Sequence, residues 1–187
     1  MWLLPTAACA PWSGASSILC ARHSASNAWP QRPSSARRRH AGADRRTAGN
    51  AMRTLFLLRH AKSDWGDPNL PDFDRPLALR GRDAANRMGT YWREAGLSVD
   101  LALSSPSMRT RQTLALMEGA NGGPLCAGAP AVFDDQLYLA SASTIAMVLE
   151  DLPDAATSAL LIGHNPGFED TALALSGTAE AGALEKL

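Results

Sequence analysis

Two short stretches, Leu55-Phe56-Leu57-Leu58-Arg59-His60 and Leu160-Leu161-Ile162-Gly163-His164-Asn165-Pro166, decide how this chain folds. Each is a run of large apolar residues bounded by polar and turn residues, the pattern of a strand buried on both faces. Each delivers a histidine to the C-terminal end of its strand. A third segment, Leu101-Ala102-Leu103-Ser104-Ser105-Pro106-Ser107-Met108-Arg109, has the same form and ends in an arginine. In open α/β sheets that edge is where ligands bind. Two imidazoles, His60 and His164, and two guanidinium groups, Arg59 and Arg109, therefore converge on one rim. This set suits a phosphoryl group and no common metal.

Between these runs the chain alternates helical and strand patterns. Ala84, Ala85, Met88, Tyr91 and Trp92 recur at helical spacing within a helix predicted over 80–95, closed by Gly96. Further helices are predicted at 106–118, with Pro106 in the first turn, at 143–151, and from Pro166 to Leu175 with Asn165 as N-cap. Strands are predicted at 54–59, 99–103, 131–133 and 158–162. The alternation implies a three-layer α/β/α sandwich with a mostly parallel sheet.

The formal charge of zero averages two unlike parts. Residues 1–51 hold seven of the 18 basic residues and one of the 18 acids, a net +6, which leaves −6 for residues 52–187. An acidic domain is a poor partner for nucleic acid, whose affinity needs clustered Lys and Arg. No stretch approaches the roughly 20 apolar residues that span a bilayer. Of three cysteines only Cys126 falls in the domain, too few for a disulfide or a zinc site within it, which points to a reducing, cytoplasmic setting.

Residues 1–51 are rich in Ala, Ser, Arg and Pro without a persistent period, and are expected to be disordered. Their Arg- and Ser-rich, acid-poor make-up fits an organellar transit segment or a start codon assigned too early, with Met52 the true start. The folded domain is assigned to 52–187. Its last residues, Leu184-Glu185-Lys186-Leu187, stop within an amphipathic pattern, so a final sheet-edge element is expected to be missing by C-terminal truncation.

Neutral imidazole is a nucleophile near pH 7, and arginine presents a planar, permanently charged fork to phosphoryl oxygens. His60 is the candidate nucleophile. Arg59 and Arg109 are the candidate phosphate ligands, and His164, as an imidazolium, a donor to a phosphoryl oxygen. A strand-terminal histidine taken alone is as readily an ordinary hydrogen-bonding residue. The weight comes from three strands bringing complementary groups to one edge.

These residues resemble the histidine phosphatase superfamily. Leu57-Leu58-Arg59-His60-Ala61-Lys62-Ser63 is similar to its opening Arg-His motif in the SixA-type branch, with Ala where other members carry Gly. The stretch from Ser104 to Thr113 resembles its second motif, Ser-x-x-x-Arg-x-x-Gln-Thr in form, and Gly163-His164-Asn165-Pro166-Gly167 its second-histidine motif. Asp74-Arg75-Pro76-Leu77 followed by Arg80-Gly81 resembles the branch's segment before its first helix.

The resemblance spans about 54–175 and implies a phosphoglycerate mutase-like fold, a phosphohistidine intermediate on His60, and no metal or organic cofactor. Many members add an acidic proton donor. Asp135, in Phe133-Asp134-Asp135-Gln136-Leu137-Tyr138, lies near where it would come, and would equally serve as a solvated loop acid or a cap. The lack of an obvious acid fits a phosphoramidate, so the expected substrate is a protein phosphohistidine. A small phosphoester, or phosphate binding without catalysis, is the alternative. Neither a nucleic-acid nor a membrane partner is expected, and the domain's size permits a monomer.

Overall fold

A computed structural model describes residues 18–23, 53–127 and 129–176. The termini, including the amphipathic C-terminal stretch expected to be truncated, lie outside the described residues. The core is built on strands β2 (Arg53–Arg59), β3 (Leu101–Ser104), β4 (Val132–Phe133) and β5 (Ser158–Gly163). All four are parallel, in the order β2-β5-β3-β4. Helices α1 (Leu79–Glu94) and α2 (Met108–Asn121) lie on one face, and α3 (Ala142–Glu150) and α4 (Gly167–Ser176) on the other.

The sequence pattern explains the two layers. Side chains alternate across a strand. Phe56 and Leu58 of β2, with Leu160 and Ile162 of β5, therefore pack with Ala85 and Trp92 of α1 and Met117 of α2. Their neighbours Leu55, Leu57, Ala159 and Leu161 point the other way, to Ile145 and Leu149 of α3 and Phe168 of α4. Both faces being covered is why these strands read as continuous apolar runs rather than alternating ones. The three-layer sandwich expected from the sequence is the fold observed. Where α1 crosses α2, a Cβ at Gly89 would collide with the Met117 carbonyl, so only glycine permits this approach.

Three features depart from the sequence reading. Within the segment expected to lack structure, Ile18–His23 forms β1, which pairs antiparallel with β2 at the sheet edge. The partner strand supplies the order. Without β1 the outer side of β2 would be a row of unpaired backbone groups, a template for any extended segment that reaches it. Second, α2 begins at Met108, because Ser107 is still extended (φ −62°, ψ 155°), leaving Pro106 outside the first turn. Third, α4 starts at Gly167, and Asn165 donates its side-chain amide to Glu169 rather than capping the helix.

The register lines up the ends that matter. Arg59 of β2 is opposite Gly163 of β5, and Ser104 of β3 is opposite Ile162. The pairing continues one residue past each strand, with His60 N–H donating to Gly163 O (3.0 Å) and Ser105 N–H to Ile162 O (2.9 Å). The two histidines and the segment leading to Arg109 thus leave the sheet side by side, at its C-terminal edge.

Candidate active site

The sheet edge opens into a cavity of about 360 Å³, lined among others by Arg59, His60, Asp72, Arg109 and His164. Four of the five residues singled out from sequence meet here: Arg59, His60, Arg109 and His164. The fifth, Asp135, is exposed on a 3-10 turn (Asp135–Leu137) and is not among the lining residues. The cap of that turn is Asp134, whose carboxylate accepts from Gln136 N–H.

Arg109 is the hub. It is buried, 4% exposed, and its fork reaches both imidazoles. Its Nε donates to His60 Nε2 at 3.2 Å, and its Nη2 to His164 Nδ1 at 3.2 Å. Each histidine has a second partner that fixes its tautomer. His60 Nδ1 lies 2.7 Å from the Ala61 carbonyl, which can only accept, so the proton sits on Nδ1 and the Nε2 lone pair faces the cavity. His164 shows the opposite tautomer: Nδ1 accepts from Arg109, and Nε2–H donates to Ser105 Oγ at 2.9 Å. The two rings stand 5.0 Å apart, edge to face.

Burial pushes His60 down to about 4 from its ordinary 6.5, with Arg109 and Arg59 adding to the shift and the Ala61 carbonyl opposing it. Burial, together with the neighbouring His60 and Arg109, pushes His164 down to about 3. Both rings are therefore neutral near pH 7 in the free site. For His60 this is the state a nucleophile needs. His164 is neutral here because in a desolvated pocket that already holds guanidinium groups a further cation is unfavourable; the imidazolium expected from sequence belongs to the site with a phosphoryl group in place, whose negative charge would favour it.

These shifts have a consequence for stability. Both groups bind protons more tightly in the unfolded chain, so folding stability rises with pH across the window between the folded and unfolded values. The melting temperature is expected to fall as the pH is lowered from about 6.5 towards about 4. In His164→Asn that part of the slope should flatten. A melting temperature unchanged over this range in the parent protein would contradict the assigned protonation states.

Residues of the second motif that carry no charge position the charged ones. Thr113 Oγ1 accepts from Ala61 N–H (3.1 Å) and donates to the Arg109 carbonyl (2.7 Å), tying the segment after His60 to α2. Gln112 Oε1 accepts from Leu77 N–H at 2.7 Å, which pins the end of the long loop that follows β2. Gly163 is required because a Cβ there would run into the Phe168 ring.

Two site residues escaped the sequence reading. Asp72, in that loop, folds back over the cavity and pairs with Arg109 through Oδ2 at 2.8 Å. Its backbone carbonyl accepts from Arg109 Nη1 as well. Tyr138 donates its hydroxyl to the same Asp72 Oδ2 at 2.8 Å, and its ring stands edge-on to His164, centroids 5.4 Å apart. The Asp-x-x-Arg-Pro-Leu stretch around Asp72 and the aromatic residue three positions after Asp135 were visible in the sequence, but nothing local told that they meet. At the mouth, Lys62 and Arg80 add positive charge, and Trp65 and Leu139 are 62% and 57% exposed. Leu139 sits in the left-handed region, φ 48°, a conformation unfavourable for leucine and typical of functional loops.

Residues 55–137 match the family model of the histidine phosphatase superfamily, branch 1. An uncharacterized protein of Mycobacterium tuberculosis is 37% identical over 119 residues, covering 64% of this chain and 70% of the relative. An uncharacterized chloroplastic protein of Arabidopsis thaliana is 35% identical over 131 residues, 67% of this chain; the match spans only 60% of that relative's length. Among solved structures, a candidate phosphohistidine phosphatase SixA from Agrobacterium tumefaciens is 33% identical, with a TM-score of 0.58 over 64% of this chain and 74% of that one. The protein histidine phosphatase SixA complexed with tungstate is 22% identical, with a TM-score of 0.53 over 63% and 72%, a likeness of fold alone.

Proposed function

The chain belongs to the histidine phosphatase superfamily, and on that premise we propose that it is a phosphatase that transfers a phosphoryl group from substrate to His60 and then to water, with protein phosphohistidine as its substrate. The observation that carries this reading is the state of His60: neutral, protonated on Nδ1 by its bond to the Ala61 carbonyl, with Nε2 free to attack and held against Arg109. The entering phosphoryl oxygens meet Arg109 and Arg59. Nε2 attacks phosphorus, and the leaving group departs on the opposite side. His164 completes the pocket through Arg109.

Several observations favour a phosphoramidate over an ester. An alkoxide leaving group needs a proton donor, and Asp135 stands outside the cavity. Asp72, the acid that does reach it, is held in its carboxylate form: burial opposes ionisation, but the Tyr138 hydroxyl and Arg109 outweigh it. A phosphorylated imidazole carries its own second nitrogen and leaves once that nitrogen is protonated. The exposed Trp65 and Leu139, with Lys62 and Arg80, give the mouth an apolar and cationic surface suited to a protein partner. The Agrobacterium relative's designation as a candidate phosphohistidine phosphatase supports the same substrate.

The competing reading is a phosphatase of small phosphoesters. Incubating the protein with a phosphohistidine-bearing protein and with a panel of sugar phosphates and nucleotides separates the two. A higher kcat/KM on the phosphoprotein is expected, and faster cleavage of any small ester would replace the substrate assignment. Among the described residues no helix is long and apolar enough to cross a membrane. The acid-poor, Arg-rich residues 1–51 and the chloroplastic relative support an organellar destination as an alternative to the cytoplasm.

A further inference from the structure

Asp72 carries more interactions than the transfer of phosphate onto His60 uses. Its carboxylate oxygen Oδ2 accepts at 2.8 Å from Arg109 Nη2 and at 2.8 Å from the Tyr138 hydroxyl, two donors from elements far apart in sequence. A phosphoryl group entering the pocket competes for that guanidinium, since two anions cannot share it on equal terms. Tyr138 keeps its hold on the carboxylate when Arg109 turns to the substrate. Asp72 then stays at the edge of the pocket, its hold on Arg109 weakened and its hold on Tyr138 kept.

Once phosphate is on His60 Nε2, it lies against Arg109 Nε, on the imidazole side of the fork. The carboxylate lies at the Nη1/Nη2 end of the same planar group. Water must attack phosphorus opposite the P–N bond, so a base is needed away from the imidazole. Resting on the phosphohistidine reading above, we propose that Asp72 takes the proton of the water that hydrolyses phospho-His60, with Tyr138 holding it in place. The water oxygen forms its bond to phosphorus as the P–Nε2 bond breaks. The bonding pair returns to Nε2, leaving His60 the neutral Nδ1–H tautomer it had at the start. The proton goes to Asp72, hydrogen phosphate leaves, and Asp72 loses its proton to solvent before pairing again with Arg109.

Tyr138, which stays bonded to the carboxylate, works against burial to keep it in the ionised form that a proton acceptor needs. This role divides the reaction in two. Phosphorylation of His60 needs no acid when the leaving group is an imidazole, whereas attack by water gains from a positioned proton acceptor, an effect of about 10²–10⁴-fold.

The test uses the full chain with phosphoramidate as phosphoryl donor and a rapid alkaline quench. In Asp72→Asn, His60 should be phosphorylated within a few-fold of the parent rate, while turnover falls by about 10²-fold or more. Phosphoenzyme should then accumulate towards one per chain. Asp72→Glu should recover part of the hydrolysis and lower the accumulated label; Tyr138→Phe should show the same accumulation in weaker form. Turnover in Asp72→Asn equal to or above the parent's would overturn the proposal and leave the carboxylate a mere occupant of the empty pocket. Loss of turnover without accumulated label would overturn it too, placing Asp72 in the first step. A parent protein that turns over without ever labelling His60 would instead bring down the phosphohistidine reading, and this inference with it.

Discussion

Replacing His60 by alanine is expected to lower kcat/KM by about 10⁴-fold or more while oxyanion binding persists. The expectation rests on what the side chain alone supplies. Arg109 donates to both imidazoles, but His164 is the more deeply buried ring, 2% exposed, and is held at its other nitrogen by Ser105, whereas His60 is only half-buried. A carboxylate is present in Asp72, but it is committed to Arg109 and Tyr138. The loss therefore removes the covalent step itself. Binding of phosphate or tungstate should survive because Arg109, Arg59 and His164 remain. The Arg109 Nε–H that had donated to His60 becomes available to an oxyanion. Calorimetric titration with tungstate beside a steady-state assay checks both halves. Turnover close to the parent's in His60→Ala would remove this histidine from the reaction.

Replacing Arg109 by alanine is expected to have a different signature, losing oxyanion binding and turnover together. A fall in kcat/KM of about 10³–10⁵-fold is the scale seen when an arginine that neutralises phosphoryl charge is removed. The size follows from its position. Arg109 is 4% exposed, so its charge acts where water screens it little. It also organises its neighbours, donating to both imidazoles and to Asp72. Without it His60 Nε2 and His164 Nδ1 lose their donor, and the Asp72 carboxylate is freed into the pocket as a repelling anion. Lysine should restore little, because one ammonium cannot satisfy four acceptors spread around a planar fork. Tungstate affinity within a few-fold of the parent's in Arg109→Ala would show that the phosphate is held elsewhere.

Much of this architecture was readable because it rests on local pattern. The runs at Leu55–Leu58 and Leu160–Ile162 are apolar on both faces, and only a strand between two helical layers uses such residues. Once the strands are parallel and in register, Arg59, His60 and His164 must emerge at one edge, and Arg109 follows from the short turn after β3. What stayed hidden depends on chain segments meeting from a distance. Asp72 and Tyr138 are 66 residues apart in sequence, and their bond exists because the loop after β2 folds over the pocket while Gln112 holds its far end at Leu77. Asp135 has the residue type of a proton donor and lies in sequence near where the family's acid would come, but neither feature shows which way its turn faces. The 3-10 turn that begins there exposes Asp135 and turns Tyr138, three residues later, onto His164. The neutral state of His164 before phosphate enters is hidden for a related reason: a motif shows an imidazole near phosphate, but not that the pocket is desolvated and already cationic. Strand β1 was missed because its order comes from the open edge of β2 rather than from a period of its own.

The central claim is that phosphate passes through His60. The direct measurement is to incubate the protein with a phosphohistidine-bearing protein labelled on phosphorus, quench in alkali at successive times, and locate the label by peptide mass spectrometry. Phosphoramidates survive alkali and are lost in acid, so the quench preserves the intermediate. The account predicts that label leaves the donor and appears transiently on His60, stable to alkali and labile to acid, and that none appears in His60→Ala. Release of phosphate at the full rate with no label on His60 at any time, or label on another residue, would contradict it.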